Sequence, residues 1–190
     1  MPKAPAKTDT VKITEATFRL AAADGWTNLT LEAIAKEAKL APASFKKRFS
    51  STYDLIPILV DEVTDQALAS AEGAQGAPHD IVFDLMMARF DVLQKYREGV
   101  LAIAEEAQWD RTLASALTRG VFDSMIATID AANLELPSRP ATAVGLSAAY
   151  GWAFLAWRSD TSSDMSRTMA ALDKALRLAG KAVDLVKRGF

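Results

Sequence analysis

The chain has 190 residues, half of them apolar, with a net charge of −2 and 36 alanines against nine glycines and three tyrosines. That is enough apolar material for a core without metal or disulfide support, and the alanine excess argues against a mainly β chain, because alanine loses least entropy in a helix. Cysteine is absent and His79 is the only histidine, which excludes disulfides, thiolate nucleophiles, cysteine-ligated metal centres and histidine-cluster metal sites.

Residues 1–10, rich in Lys, Pro and Ala, are expected to form a disordered tail and lack the apolar segment of a signal peptide. From Val11 the apolar positions Ile13, Ala16, Thr17, Leu20 and Ala21 recur with helical spacing until Asp24-Gly25. Thr30 is a suitable N-cap for a short helix burying Leu31, Ile34, Ala35 and Ala38, which ends near Lys39-Leu40. A third short helix opens at Ala41-Pro42, where proline's missing N–H does no harm, and carries Phe45 and Phe49 as apolar anchors. A fourth is expected over about 53–70. The stretch Glu72 to Pro78, with two glycines and a proline, is the clearest linker. Beyond it, helices are expected over about 80–96, 99–107, 109–132, 141–157 and 162–187, with a stiff break at Pro137-Ser138-Arg139-Pro140. The fold class is therefore all-α, with about nine helices.

The net charge averages two different regions: residues 1–60 carry +3 and residues 61–190 carry −5. A mildly basic head on an acidic body is compatible with nucleic acid at one end. Two short helices joined by a tight turn behind a scaffold helix suggest a helix–turn–helix, whose second helix can enter a major groove. Ser44, Lys46, Lys47 and Arg48 lie on that helix, and Thr27 and Thr30 near a helix start can donate to phosphate. Three consecutive basic residues are equally what a solvated face looks like.

Residues 13–55 resemble the DNA-binding domain of the TetR/AcrR family of one-component regulators, through ITEATFRLAAADGW, LTLEAIAKEAKLAPASFKKRF and SSTYDL. Ala35 takes the place of the small alanine where the two short helices cross. Leu40 takes the turn's apolar anchor, Phe49 the phenylalanine closing the recognition helix, and Leu55 the leucine opening the fourth helix. Lys46 stands where the family usually has a phosphate-touching tyrosine, Ala43 where it usually has glycine, and Thr52 where it usually has lysine.

The resemblance implies a division into a helix–turn–helix domain at 11–55 and a helical effector-binding and dimerisation domain at 56–190. It implies a ligand-responsive regulator, a repressor, that binds double-stranded DNA at a palindromic operator as a homodimer and responds to a small apolar effector. Met86, Phe90, Trp109, Phe122, Met125 and Trp152 are soft or aromatic side chains able to line an apolar cavity or simply to fill the core. Dimerisation through the last two helices would use Ala148, Gly151, Leu155, Met169, Leu172 and Leu176, the small residues permitting close approach.

A second resemblance concerns WRSDTSSDMSRTMAALDKAL, residues 157–176, which is similar to the C-terminal motif of the TetR-fold ubiquinone-biosynthesis accessory proteins. Asp160, Ser162, Asp164, Thr168, Leu172 and Asp173 carry it, and it implies a lipid- or isoprenoid-binding accessory role instead. Read from the residues alone, a serine there caps the final helix and the aspartates favour its positive end.

Nothing points to catalysis. Glu105-Glu106 reads as a solvated pair, His79 as a surface histidine at a helix start, and no glycine-rich phosphate loop is present. No cofactor or metal is expected. No run approaches the roughly 18 apolar residues that span a bilayer, so a cytoplasmic protein without membrane insertion is expected.

Overall fold

The structure, a computed structural model, describes residues 7–133 and 138–187. Every regular element among them is helical: α1 (Lys7–Asp24), α2 (Leu31–Glu37), α3 (Pro42–Arg48), α4 (Ile56–Ser70), α5 (Pro78–Lys95), α6 (Arg97–Glu106), α7 (Arg111–Ala131), α8 (Arg139–Ser159) and α9 (Ser166–Lys187). The all-α expectation and its helix order hold. No described helix is long and apolar enough to cross a membrane.

The ends differ from the sequence expectation for local reasons. α1 starts at Lys7 rather than Val11, because its first turn has a partner: the Thr10 hydroxyl lies 2.6 Å from Glu62 Oε2. Part of the expected tail, residues 7–10, is thus helical; residues 1–6 lie outside the described residues. α4 starts at Ile56 rather than Tyr53, since Thr52–Leu55 forms a 3-10 turn closed by a capping box between Ser51 and Asp54. α8 begins at Arg139, with Pro140 tolerated in the first turn and the Ser138 side chain accepting the Ala141 N–H at 3.4 Å.

The chain forms two compact units that do not follow its order. One takes residues up to Asp65 together with Val92–Gly120, the other Gln66–Asp91 together with residues from Val121 onward. In the first, Ile13, Ala21, Ile34, Leu55 and Ile56 are fully buried. α6 approaches α1 so closely that a Cβ on Gly99 would stand 2.1 Å from the Phe18 carbonyl oxygen. Only a residue without a side chain fits there.

The second unit is built on α8 and α9 with the apolar side chains facing them. Phe90, Tyr150 and Trp157 form its aromatic centre: the Phe90 ring stacks on Tyr150 at 5.2 Å between centroids and lies 6.2 Å from Trp157. Met86, Met125 and Leu172 are buried in the same unit. Area removed from water by side chains of this size is the main source of its stability, at about 25 cal/mol per Å² of apolar surface.

Candidate nucleic-acid interface

The head is assembled by caps and aromatic anchors. Asp24-Gly25 ends α1, with Gly25 at φ +77°, and Trp26 turns back to be buried. The Thr30 hydroxyl accepts the Ala33 N–H at 3.1 Å and so caps α2, as its position in the sequence predicts. α2 closes through Lys39, which takes the left-handed conformation at φ +56°, while Leu40 N–H returns to the Ala35 carbonyl at 2.8 Å. This turn then delivers Pro42 to the first turn of α3. Phe45 and Phe49, both buried, pack with ring centroids 4.7 Å apart and leave the opposite side of α3 to solvent.

On that side Ser44, Lys46 and Lys47 are exposed, and so are Thr27 and Thr30 ahead of α2. Arg48 differs from its neighbours. It is half-buried, with its guanidinium 5.2 Å from the centroid of the Phe49 ring and its Nη2 buried without a hydrogen-bond partner. Lys46 forms an ion pair with Glu32 of α2. Exposed pairs of this kind contribute little, a median of about 0–1 kcal/mol, so Lys46 stays available to a stronger anion. The glutamate itself is a negative charge beside the basic face, and nothing in the residue pattern of α3 announces it.

The structure divides the expected effector residues. Met86, Phe90 and Met125 are buried in the second unit and Phe122 is half-buried. Trp109 and Trp152 do not line an interior: Trp109 is 84% exposed in the α6–α7 connection, and Trp152 points away from the buried side of α8. Periodicity explains the correction for α8, where Ala149, Tyr150, Ala153 and Trp157 take the inward face and leave position 152 outward.

The expected dimer residues separate in the same way. Ala148, Gly151 and Leu155 are exposed on α8, Leu155 by 63%, and Val144 and Trp152 extend them into one apolar stripe. Leu178 adds an exposed apolar side chain on α9. Leu172 and Leu176, by contrast, are buried within the chain, because the inward face of α9 runs through Thr168, Leu172 and Leu176; Met169 is half-buried. These two leucines hold the hairpin together and present nothing to a partner.

The loop between α8 and α9 is organised by Asp160, 2% exposed. Its Oδ1 accepts the Ser162 N–H at 3.1 Å and the Ser162 hydroxyl at 2.5 Å, while Oδ2 accepts the Thr168 N–H and hydroxyl, each at 2.8 Å. Burial alone would raise this carboxyl's pKa, but the hydrogen bonds from Ser162 and Thr168 outweigh it and hold the group well below the usual carboxylate range. The Asp-x-Ser…Thr pattern therefore has a structural account, a carboxylate-anchored start to α9. His79 lies in the first turn of α5, half-buried, with Nδ1 3.2 Å from Asp80 and Nε2 3.5 Å from Asp173. Among the described residues no group of three His, Cys, Asp or Glu side chains could hold a metal ion.

Comparison with known proteins agrees with this architecture. Residues 13–57 match the family described as bacterial regulatory proteins, tetR family. A TetR transcriptional regulator from Nitrosomonas europaea superposes with a TM-score of 0.68 at 22% identity, covering 90% of this chain and 97% of that one. A TetR transcriptional regulator from Rhodococcus sp. RHA1 gives 0.62 at 17% identity, covering 90% and 95%. The multidrug-binding protein EbrR, solved with imidazole, gives 0.55 at 20% identity, covering 90% and 96%. No curated protein matches the chain. The fold is that of the TetR regulators, and none of these similarities supports the ubiquinone-accessory resemblance.

Proposed function

We propose that this protein is a ligand-responsive transcriptional regulator, a repressor, that binds a palindromic operator as a homodimer. Residues 11–55 form its DNA-binding part and residues 56–190 its effector-binding and dimerisation part. The observation that carries the reading is α3. It is a short helix pinned by Phe45 and Phe49, with Ser44, Lys46 and Lys47 exposed, inside the segment that matches the tetR family. A helix held this way can lie in a major groove, with its lysines and the Thr27–Thr30 segment meeting phosphates.

Two-fold symmetry supplies the second head. Operator half-sites are read about 34 Å apart, which requires a dimer, and the stripe Val144, Ala148, Gly151, Trp152, Leu155 is the apolar surface that supports one. An exposed apolar stripe of this kind on a water-soluble helix is stabilised when a second copy covers it. Met86, Phe90 and Met125, buried side chains of one unit, are of the soft apolar kind that an apolar effector would meet, and the name of EbrR as a multidrug-binding protein agrees with that class of ligand. Effector binding acts by shifting the dimer between states of different operator affinity.

The test is selection of fragmented genomic DNA on purified protein at low salt. The expected result is enrichment of one or a few fragments sharing an inverted repeat, retained at nanomolar protein. Retention of no fragment would overturn the reading.

A further inference from the structure

Asp110 has two oxygens with two separate tasks. Oδ1 caps α7, accepting the backbone N–H of Thr112 at 2.8 Å and of Leu113 at 3.0 Å. Oδ2 accepts the phenol of Tyr53 at 2.5 Å, fifty-seven residues away in sequence. Tyr53 sits in the 3-10 turn ahead of α4, and its ring meets Trp26 edge-on with centroids 6.0 Å apart. Trp26, buried, opens the turn that presents Thr27 and leads to Thr30, the cap of α2.

The contact is a charge-assisted hydrogen bond, the stronger kind. The Tyr53 hydrogen bond is the chief cause holding Asp110 below its ordinary pKa, and that same bond raises the Tyr53 phenol. α7 runs unbroken from Arg111 to Ala131 and carries Phe122 and Met125 in its second half. The start of α7 is thereby tied, through two aromatic rings, to the segment that would touch the DNA backbone.

We propose that Asp110 is a positioning residue that acts through Tyr53 and Trp26 to set the Thr27–Thr30 segment, so that the DNA-contacting segment follows the start of α7. The proposal rests on the reading of that segment as part of a DNA interface. Neither Asp110 nor Tyr53 lies on α2 or α3, so their effect on DNA would be indirect.

Hydrogen exchange on the full-length protein, read by mass spectrometry without DNA, tests it with Tyr53→Phe and Asp110→Asn. The first keeps the ring against Trp26 and removes only the donor. The second keeps a side chain that caps helices well. Tyr53→Phe is expected to speed exchange by about tenfold at the amides of Leu29 and Ala33, the protected positions of the segment, while Thr112 and Leu113, held by the other oxygen of Asp110, stay protected. Asp110→Asn is expected to speed exchange at Leu29 and Ala33 while Thr112 and Leu113 stay protected by the new cap. On a selected operator both variants are expected to lose about fivefold in affinity with the salt dependence unchanged, because every phosphate-binding side chain is still in place.

Unchanged exchange at Leu29 and Ala33 in both variants would overturn the proposal, and so would altered exchange with undiminished operator affinity. If wild-type protein binds no operator, the regulator reading fails, while the exchange data alone still decide whether Asp110 sets the Trp26 segment.

Discussion

The head around α3 and the hairpin of α8 and α9 solve the same problem with opposite surfaces. α3 is only seven residues long, too short to hold itself, and is fixed by two buried phenylalanines, leaving polar and basic side chains outside. The hairpin has two helices of more than twenty residues, packs its large side chains inward, and still leaves Val144, Trp152 and Leu155 in water. A charged outer face suits a polyanion and an apolar outer face suits another apolar face, so what each region turns outward separates the two functions proposed for them.

The largest expected effects break one region while sparing the other. Gly99→Ala places a methyl against the Phe18 backbone, where no flexible side chain can yield. It is expected to destabilise the first unit by about 3 kcal/mol or to displace α6, measured by denaturant unfolding. Asp160→Ala leaves the Thr168 and Ser162 donors without their acceptor and is expected to cost about 2–3 kcal/mol, seen in the hairpin's hydrogen exchange before the head's. The pH dependence follows from the same carboxylate. Its folded pKa is depressed, so its stabilisation is fully present above the unfolded value of about 3.9 and is lost as pH falls below it. Acid unfolding of the wild type is therefore expected to be steeper below about pH 4 than that of Asp160→Asn, which lacks this titration.

A middle-sized effect sharpens the contrast of surfaces. Leu155→Glu puts a charge in the centre of the apolar stripe and is expected to convert the proposed dimer to monomer in sedimentation, with helicity unchanged. The smallest expected effect is a gain. Glu32→Gln removes the carboxylate paired with Lys46 and is expected to strengthen operator binding by about two- to fivefold at low salt, and less at high salt.

Most of the fold was legible because local chemistry and tertiary packing agree. Thr30 caps α2, Pro42 enters the first turn of α3, Gly25 ends α1, and the apolar spacing of α7 and α8 shows where helices run. The sites were legible only in part. Leu155 and Leu172 are the same residue type on neighbouring helices of the hairpin, yet one is exposed and the other buried, and the difference depends on which face each helix turns toward the other. Trp109 looked like core by its size and is exposed because it falls in a turn rather than on a helix face. The Tyr53–Asp110 bond and the Glu32–Lys46 pair join residues far apart or on different helices, and no spacing rule reaches them. Gly99 gave no signal either, since a glycine near the start of a helix has many reasons to be there.

The proposed interface depends above all on the exposed lysines of α3 holding DNA phosphates. Its most direct test is the salt dependence of operator affinity for the wild type and for a Lys46→Gln/Lys47→Gln variant. Each phosphate neutralised by a lysine contributes about 0.9 to the slope of log K against log salt concentration. Weaker binding by the variant is expected, with a slope smaller by about that amount for each phosphate it leaves without a lysine. An operator complex whose affinity and slope are the same in both proteins would contradict it.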